Sequence, residues 1–171
     1  MLSNCFLDCS VLLLAALLAA PAGAQNDPVL EARLTVTGDT ATTLSLGAAD
    51  LARMPRETAA MEEPGRESAK CEGVPVQAVL EKAGVRFGSP LRGKALAGYV
   101  LASARDGYQV VFSLGEVDAG LGGARIIVAD RCDGKPLAGD RGPLRLVVAT
   151  DKRPARSVRM LERLQVVQLR K

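Results

Sequence analysis

The stretch Tyr99-Val-Leu-Ala-Ser-Ala-Arg-Asp-Gly-Tyr-Gln-Val-Val-Phe-Ser113 decides the fold. Two β-rich runs, Tyr99 to Ala104 and Tyr108 to Ser113, flank Arg105-Asp106-Gly107. Asp-Gly is a strong hairpin signal, because both residues tolerate positive φ. The reading is an antiparallel hairpin. Directly after it, Ser113-Leu-Gly-Glu116 has the spacing of a capping box and starts a short helix.

Working outward, short strands dominate. Leu30, Ala32, Leu34 and Val36 alternate with polar residues at strand period. Gly38-Asp39 turns the chain, and Thr42 to Leu46 reads as a second strand. Ala48 to Met54 is a short helix stopped by Pro55. Residues 56–61 and 66–72 read as two strands around Glu63-Pro64-Gly65. Pro75 opens a helix in which Val76, Val79, Leu80 and Ala83 share one face, and Gly84 ends it. Arg125 to Asp130, Leu144 to Ala149 and Leu161 to Leu169 are further strands, and Asp133-Gly134-Lys135-Pro136 is a turn. Gly73, Gly84, Gly107, Gly134 and Gly142 all read as turns and caps. About eight strands and two or three short helices make an α+β fold, β-dominant, with a mixed sheet.

The ends of the chain differ from its middle. Val11 to Ala20 is an unbroken apolar run, ended by Pro21 and followed by Ala22-Gly23-Ala24. This is a signal-peptide pattern over residues 1–24, with cleavage expected before Gln25. The run is shorter than the ~20 residues that cross a bilayer. Its n-region carries no Lys or Arg and contains Asp8, which departs from the usual pattern; an uncleaved anchor is the alternative. The expectation is a periplasmic or secreted protein with one mature domain, residues 25–171. At the other end, residues 141–171 hold nine basic residues against two acids.

Composition excludes several chemistries. The 171 residues include no histidine and no tryptophan, and only two tyrosines and three phenylalanines. Histidine triads, histidine bases and histidine metal ligands are therefore absent. So few aromatics leave no stacking surface for single-stranded nucleic acid. The glycines form neither a dinucleotide fingerprint nor a P-loop. Of four cysteines, Cys5 and Cys9 would leave with the signal. Cys71 and Cys132 remain, as a disulfide or as two separate thiols. A bridge closing about 60 residues would stabilise by roughly 4 kcal/mol in the chain-entropy model.

Five segments in order resemble a known family. They are Glu72-Gly-Val-Pro-Val-Gln-Ala-Val-Leu-Glu-Lys-Ala-Gly84, Asp106-Gly-Tyr-Gln-Val-Val-Phe-Ser-Leu114 and Asp133-Gly-Lys-Pro-Leu137. Gly142-Pro-Leu-Arg-Leu-Val-Val148 and Asp151-Lys-Arg-Pro-Ala-Arg-Ser-Val-Arg159 complete the set. Together they resemble the oxidoreductase molybdopterin-binding domain, the central domain of sulfite-oxidase-like enzymes, in its short stand-alone exported form. The resemblance implies that fold over residues 30–169. In catalytic members it implies molybdenum held by a pyranopterin dithiolene and one protein cysteine, with oxygen-atom transfer to or from small oxyanions or sulfoxides. This chain departs from that pattern. The ligand cysteine of the family precedes the helix start, yet Gln25 to Lys70 contains none. Cys71 stands where the family carries an aromatic residue, and is the one weak candidate for a metal ligand. The family also places histidine near the cofactor phosphate.

The resemblance puts the pterin phosphate contacts near Lys152, Arg153, Arg156 and Arg159. Arginine's planar fork suits phosphate, sulfate or carboxylate. If 155–163 were helical, Arg156, Arg159 and Arg163 would share a face; the alternative is a solvated basic surface. Arg145 lies inside an apolar strand, on an open face, against a buried carboxylate, or on a ligand. Tyr108 matches a family position near the cofactor cleft, or packs across its hairpin. The leading expectation is a domain without molybdenum redox chemistry and without a cofactor. It would bind a small anionic ligand or an envelope protein through a basic cleft of Arg145, Lys152, Arg153, Arg156, Arg159 and Tyr108. A molybdopterin-dependent oxidoreductase is the second reading, and a structural or interaction module of the cell envelope the third.

Overall fold

The computed structural model describes residues 31–169 except 63, 64 and 66. The signal-peptide reading of residues 1–24 lies outside the described residues. Among those described, no helix is long and apolar enough to cross a membrane.

Two sheets carry the architecture. The first contains β1 (Arg33–Gly38), β2 (Leu44–Gly47), β5 (Gly98–Ala104), β6 (Gln109–Ser113) and β10 (Leu161–Gln168), in the order β2-β1-β10-β5-β6. It is mixed: β1 and β10 run parallel, and every other neighbour is antiparallel. The second sheet contains β3 (Glu57–Met61), β4 (Ala69–Pro75), β7 (Ile126–Cys132), β8 (Lys135–Pro136) and β9 (Arg145–Val148). Its strands are all antiparallel, and β7 pairs with β4, β8 and β9. The helices are α1 (Ala48–Ala52), α2 (Val76–Lys82) and α3 (Leu114–Val117). The α+β, β-dominant reading with a mixed sheet holds, with ten strands among the described residues instead of eight.

Local chemistry explains most boundaries. The β5–β6 hairpin closes through Asp106-Gly107, with Gly107 at φ +87°. Ser113 caps α3, its hydroxyl accepting the Glu116 N–H at 3.0 Å. Val76, Val79, Leu80 and Ala83 are all buried, and Gly84 follows α2 at φ +91°. Two expectations need correction. Pro75 ends β4 and caps α2 instead of sitting inside it. Gly73 is no turn but a residue of β4, where a Cβ would lie 2.0 Å from the Val128 carbonyl oxygen. Only glycine lets β7 approach that closely.

The main core takes side chains from both sheets and from α2, including Leu34, Val36, Val74, Leu80, Val100, Leu146 and Leu164. A second cluster of Ala59, Met61, Cys71, Ile127, Ala129 and Val147 occupies the other face of the second sheet. There β3 reaches back to touch β9. In β9, Leu146 and Val148 serve the main core, while Val147 serves the smaller cluster. Strand alternation puts Arg145 on the Val147 side. That face is covered, and Arg145 is 6% exposed, so it does not lie on an open face.

Candidate anion site on the loop between β9 and β10

The loop after β9 is held from several directions. The Val148 N–H donates to the Ser157 hydroxyl at 3.2 Å. Pro154–Arg156 forms a single 3-10 turn, and proline at its start costs no hydrogen bond. The Tyr108 hydroxyl donates to the Ala155 carbonyl at 2.7 Å. Tyr108 thus fastens the loop to the hairpin, and its ring is half exposed.

Arg156 is the clamp. It donates from Nε and Nη2 to the two carboxylate oxygens of Asp151, at 2.8 and 2.6 Å. Nη1 donates to Glu116 Oε1 at 2.6 Å. Its guanidinium lies over the Phe112 ring, 5.2 Å from the centroid, a cation–π arrangement. Its hydrogen bonds to Asp151, then to Glu116, push the arginine still further toward its charged form. A planar fork satisfied by two carboxylates is committed to structure.

Lys152 and Arg153 are different. Both are exposed, and neither meets a carboxylate in ion-pair range among the described residues. Lys152 borders an open cavity of about 330 Å³ with Glu62, Ala149, Thr150 and Asp151. Arg159 is exposed and turns to Asp140, 3.3 Å away. The helical face of Arg156, Arg159 and Arg163 does not form. The chain there makes one 3-10 turn and then enters β10, where Arg163 pairs in register with Thr35 and Ser103. Arg145 does not join the loop either. It lines a separate cavity of about 440 Å³, with Met61, Cys132, Lys135 and Arg141 among its walls.

Cys71 and Cys132 form a disulfide across directly paired positions of β4 and β7. Cys71 therefore presents no thiolate in this state. Sequence reasoning missed the acids that organise these regions. Glu116 and Asp151 hold Arg156 from 40 and five residues away. Arg56 grips Asp130 through two hydrogen bonds of 2.6 and 2.7 Å. Asp118 is buried and accepts N–H groups from Gly88 at 2.5 Å and Gly120 at 2.7 Å. The Gly120 contact is a local Asx pattern that Asp118-Ala-Gly could have signalled. The Gly88 contact has no such signal.

Two sheets about a shared core, with a basic loop after the buried strand β9, make the fold class of this chain. The chain belongs to the oxidoreductase molybdopterin-binding domain family, whose model matches residues 22–171. Its fold is similar to the crystal structure of the sulfane dehydrogenase SoxCD from Paracoccus pantotrophus. The TM-score is 0.62 at 21% identity, covering 81% of this chain and 38% of that one. No curated protein matches the sequence.

The donor set can be tested against the family's cofactor. A cysteine-ligated metal needs a thiolate, and both cysteines of the described residues are spent on one another. Among the described residues, no three or more His, Cys, Asp or Glu gather as a metal cluster. The residues described do not fit a metal bound through a protein cysteine.

Proposed function

We propose that this chain is an exported member of the molybdopterin-binding family that binds a small anionic ligand through Lys152 and Arg153, without molybdenum redox chemistry. One observation carries this reading. Within one loop, Arg156 is consumed by Asp151 and Glu116, while Lys152 and Arg153 stand exposed, Lys152 beside a cavity. The Tyr108 and Ser157 hydrogen bonds hold the loop backbone, so ordering on anion binding falls mainly on the two side chains. Export is supported by the apolar run at residues 11–20 and by the disulfide, which suits an oxidising compartment. The exported protein should begin at Gln25 by intact mass.

Calorimetric titration with phosphate, sulfate and molybdate tests the site. Lys152→Ala and Arg153→Ala should each weaken binding about tenfold, as loss of a charge-assisted hydrogen bond does. Their melting temperatures should be unchanged. Wild-type affinity in the double variant, or no binding by the wild type, removes the proposal.

Family membership supports the second reading, a molybdopterin-dependent oxidoreductase. Elemental analysis for molybdenum and tungsten decides between them. The protein should be exported by its own leader in a host that makes the cofactor. Near-stoichiometric metal replaces the first reading with the second.

A further inference from the structure

The 440 Å³ cavity is separate from the loop site, and Cys132 of the disulfide is one of its lining residues. Cys132 is half-buried and lines this cavity, whereas Cys71 is fully buried in the small apolar cluster. Cys132 is paired on one side with Cys71 and on the other with Lys135. Directly paired residues of neighbouring strands point to the same face, so Cys71, Cys132 and Lys135 form one row across three strands. Lys135 is exposed and stands opposite the half-buried Cys132 in the strand register. Arg141 and Arg145 also line the cavity, with Glu67 and Asp133 as its acids. One oxygen of Asp133 is already engaged by the Lys70 N–H at 2.9 Å.

We infer that Cys132 is a thiol-exchange site, and that the cavity admits a small anionic thiol that forms a mixed disulfide with it. The thiolate attacks Cys132 Sγ, the Cys71–Cys132 bond breaks, and Cys71 leaves with the electron pair. Cys71 then takes a proton from water, because its apolar surroundings disfavour a thiolate. A second thiolate attacks the sulfur of the first, releasing the small disulfide and leaving Cys132 reduced. The small thiol is thus the reductant and is itself oxidised. Attack on Cys71 is blocked by burial. Positive charge at Lys135 favours approach of an anionic thiolate. The reduced pair stays aligned, because the β4–β7 ladder holds both residues without the bridge. Attack of Cys132 on a small disulfide, followed by attack of Cys71 on the adduct, therefore regenerates the same bond and releases two small thiols.

Glutathione, which is anionic, and cysteamine, which is cationic, are the probes. Folded protein is treated with each at low ionic strength, quenched with an alkylating agent and mapped by peptide mass. Glutathione should appear on Cys132 and not on Cys71. Lys135→Glu should slow the glutathione reaction roughly tenfold and leave cysteamine unslowed. Lys135→Gln, a milder change at an exposed position, should slow glutathione in the same direction by a smaller factor. In Cys71→Ser, Cys132 is a free thiol, so oxidised glutathione is the reagent; Cys132 attacks it, one glutathione leaves, and the adduct should persist with no neighbour to expel it. Three results overturn the inference: no adduct until the protein unfolds, an adduct on Cys71, or equal slowing of both thiols by the Lys135 variants.

Discussion

Arg156 shows how a residue's partners decide its use. By composition it is one more cation in a basic tail, but three hydrogen bonds and an aromatic face hold it in place. Arg156→Ala should therefore cost about 2 kcal/mol of stability, since two partly buried carboxylates lose a charged partner. Urea denaturation measures it, and Arg153→Ala is the control, with a change under about 0.5 kcal/mol. A second residue-scale prediction concerns Asp130. Burial alone would raise its carboxyl, but hydrogen bonding and charge from Arg56, backed by Arg131, outweigh this and hold it below the usual range. A carboxyl depressed in the folded state adds stability above its unfolded value, near about 4. That contribution is lost as pH falls through the folded value. Wild type should thus lose stability below about pH 4 more steeply than Asp130→Asn, as paired melts from pH 6 to pH 2.5 would show. Residues of this kind were half legible. That Arg145 shares a strand face with Val147 follows from alternation. That β3 covers that face follows only from the tertiary fold.

Elements were legible where their chemistry is local. The Asp106-Gly107 turn, the Ser113 cap and the apolar stripe of α2 each rest on residues within one or two turns of chain. Their boundaries came out within a few residues. The hypothetical helix over 155–163 failed because a strand beginning at Leu161 is held by β1 and β5. Tertiary pairing overrode an i, i+3, i+7 spacing that charged residues alone cannot enforce. Gly73 shows the same limit from another direction. Its neighbours mark no turn, and its need for glycine comes from Val128, 55 positions later in the chain. Gly73→Ala should destabilise by about 3 kcal/mol, because the obstructing atoms are backbone and cannot swing aside. Gly134 is the contrast: a turn glycine at φ +73° with open space around it. Gly134→Asn should cost under about 1 kcal/mol, as asparagine tolerates this conformation. Thermal melts of the two variants separate collision from backbone strain.

At the scale of the molecule, sequence and space are furthest apart. The first described strand, β1, pairs with the last, β10, and the second sheet is centred on β7. No local pattern encodes the β1–β10 pairing, which brings together residues more than a hundred positions apart. The basic C-terminal stretch is likewise partly balanced by acids from earlier elements, Glu116 on Arg156 and Asp140 on Arg159. The disulfide acts on this same long-range organisation. It closes a separation of 61 residues between strands that the ladder already pairs. Its stabilisation therefore falls mainly on the unfolded chain, by roughly 4 kcal/mol in the chain-entropy model. Replacing both cysteines with serine would add buried hydroxyls to an apolar cluster, so Cys71→Ala with Cys132→Ala is the cleaner probe. The double variant should keep the far-ultraviolet circular dichroism of the wild type. Its unfolding free energy should fall by about 3–4 kcal/mol, and its denaturant slope should rise as the freed unfolded chain expands. A double variant with unchanged slope but equal loss of stability would place the bridge's effect in the folded state. Loss of the sheet signal would show that the β4–β7 ladder cannot hold without it.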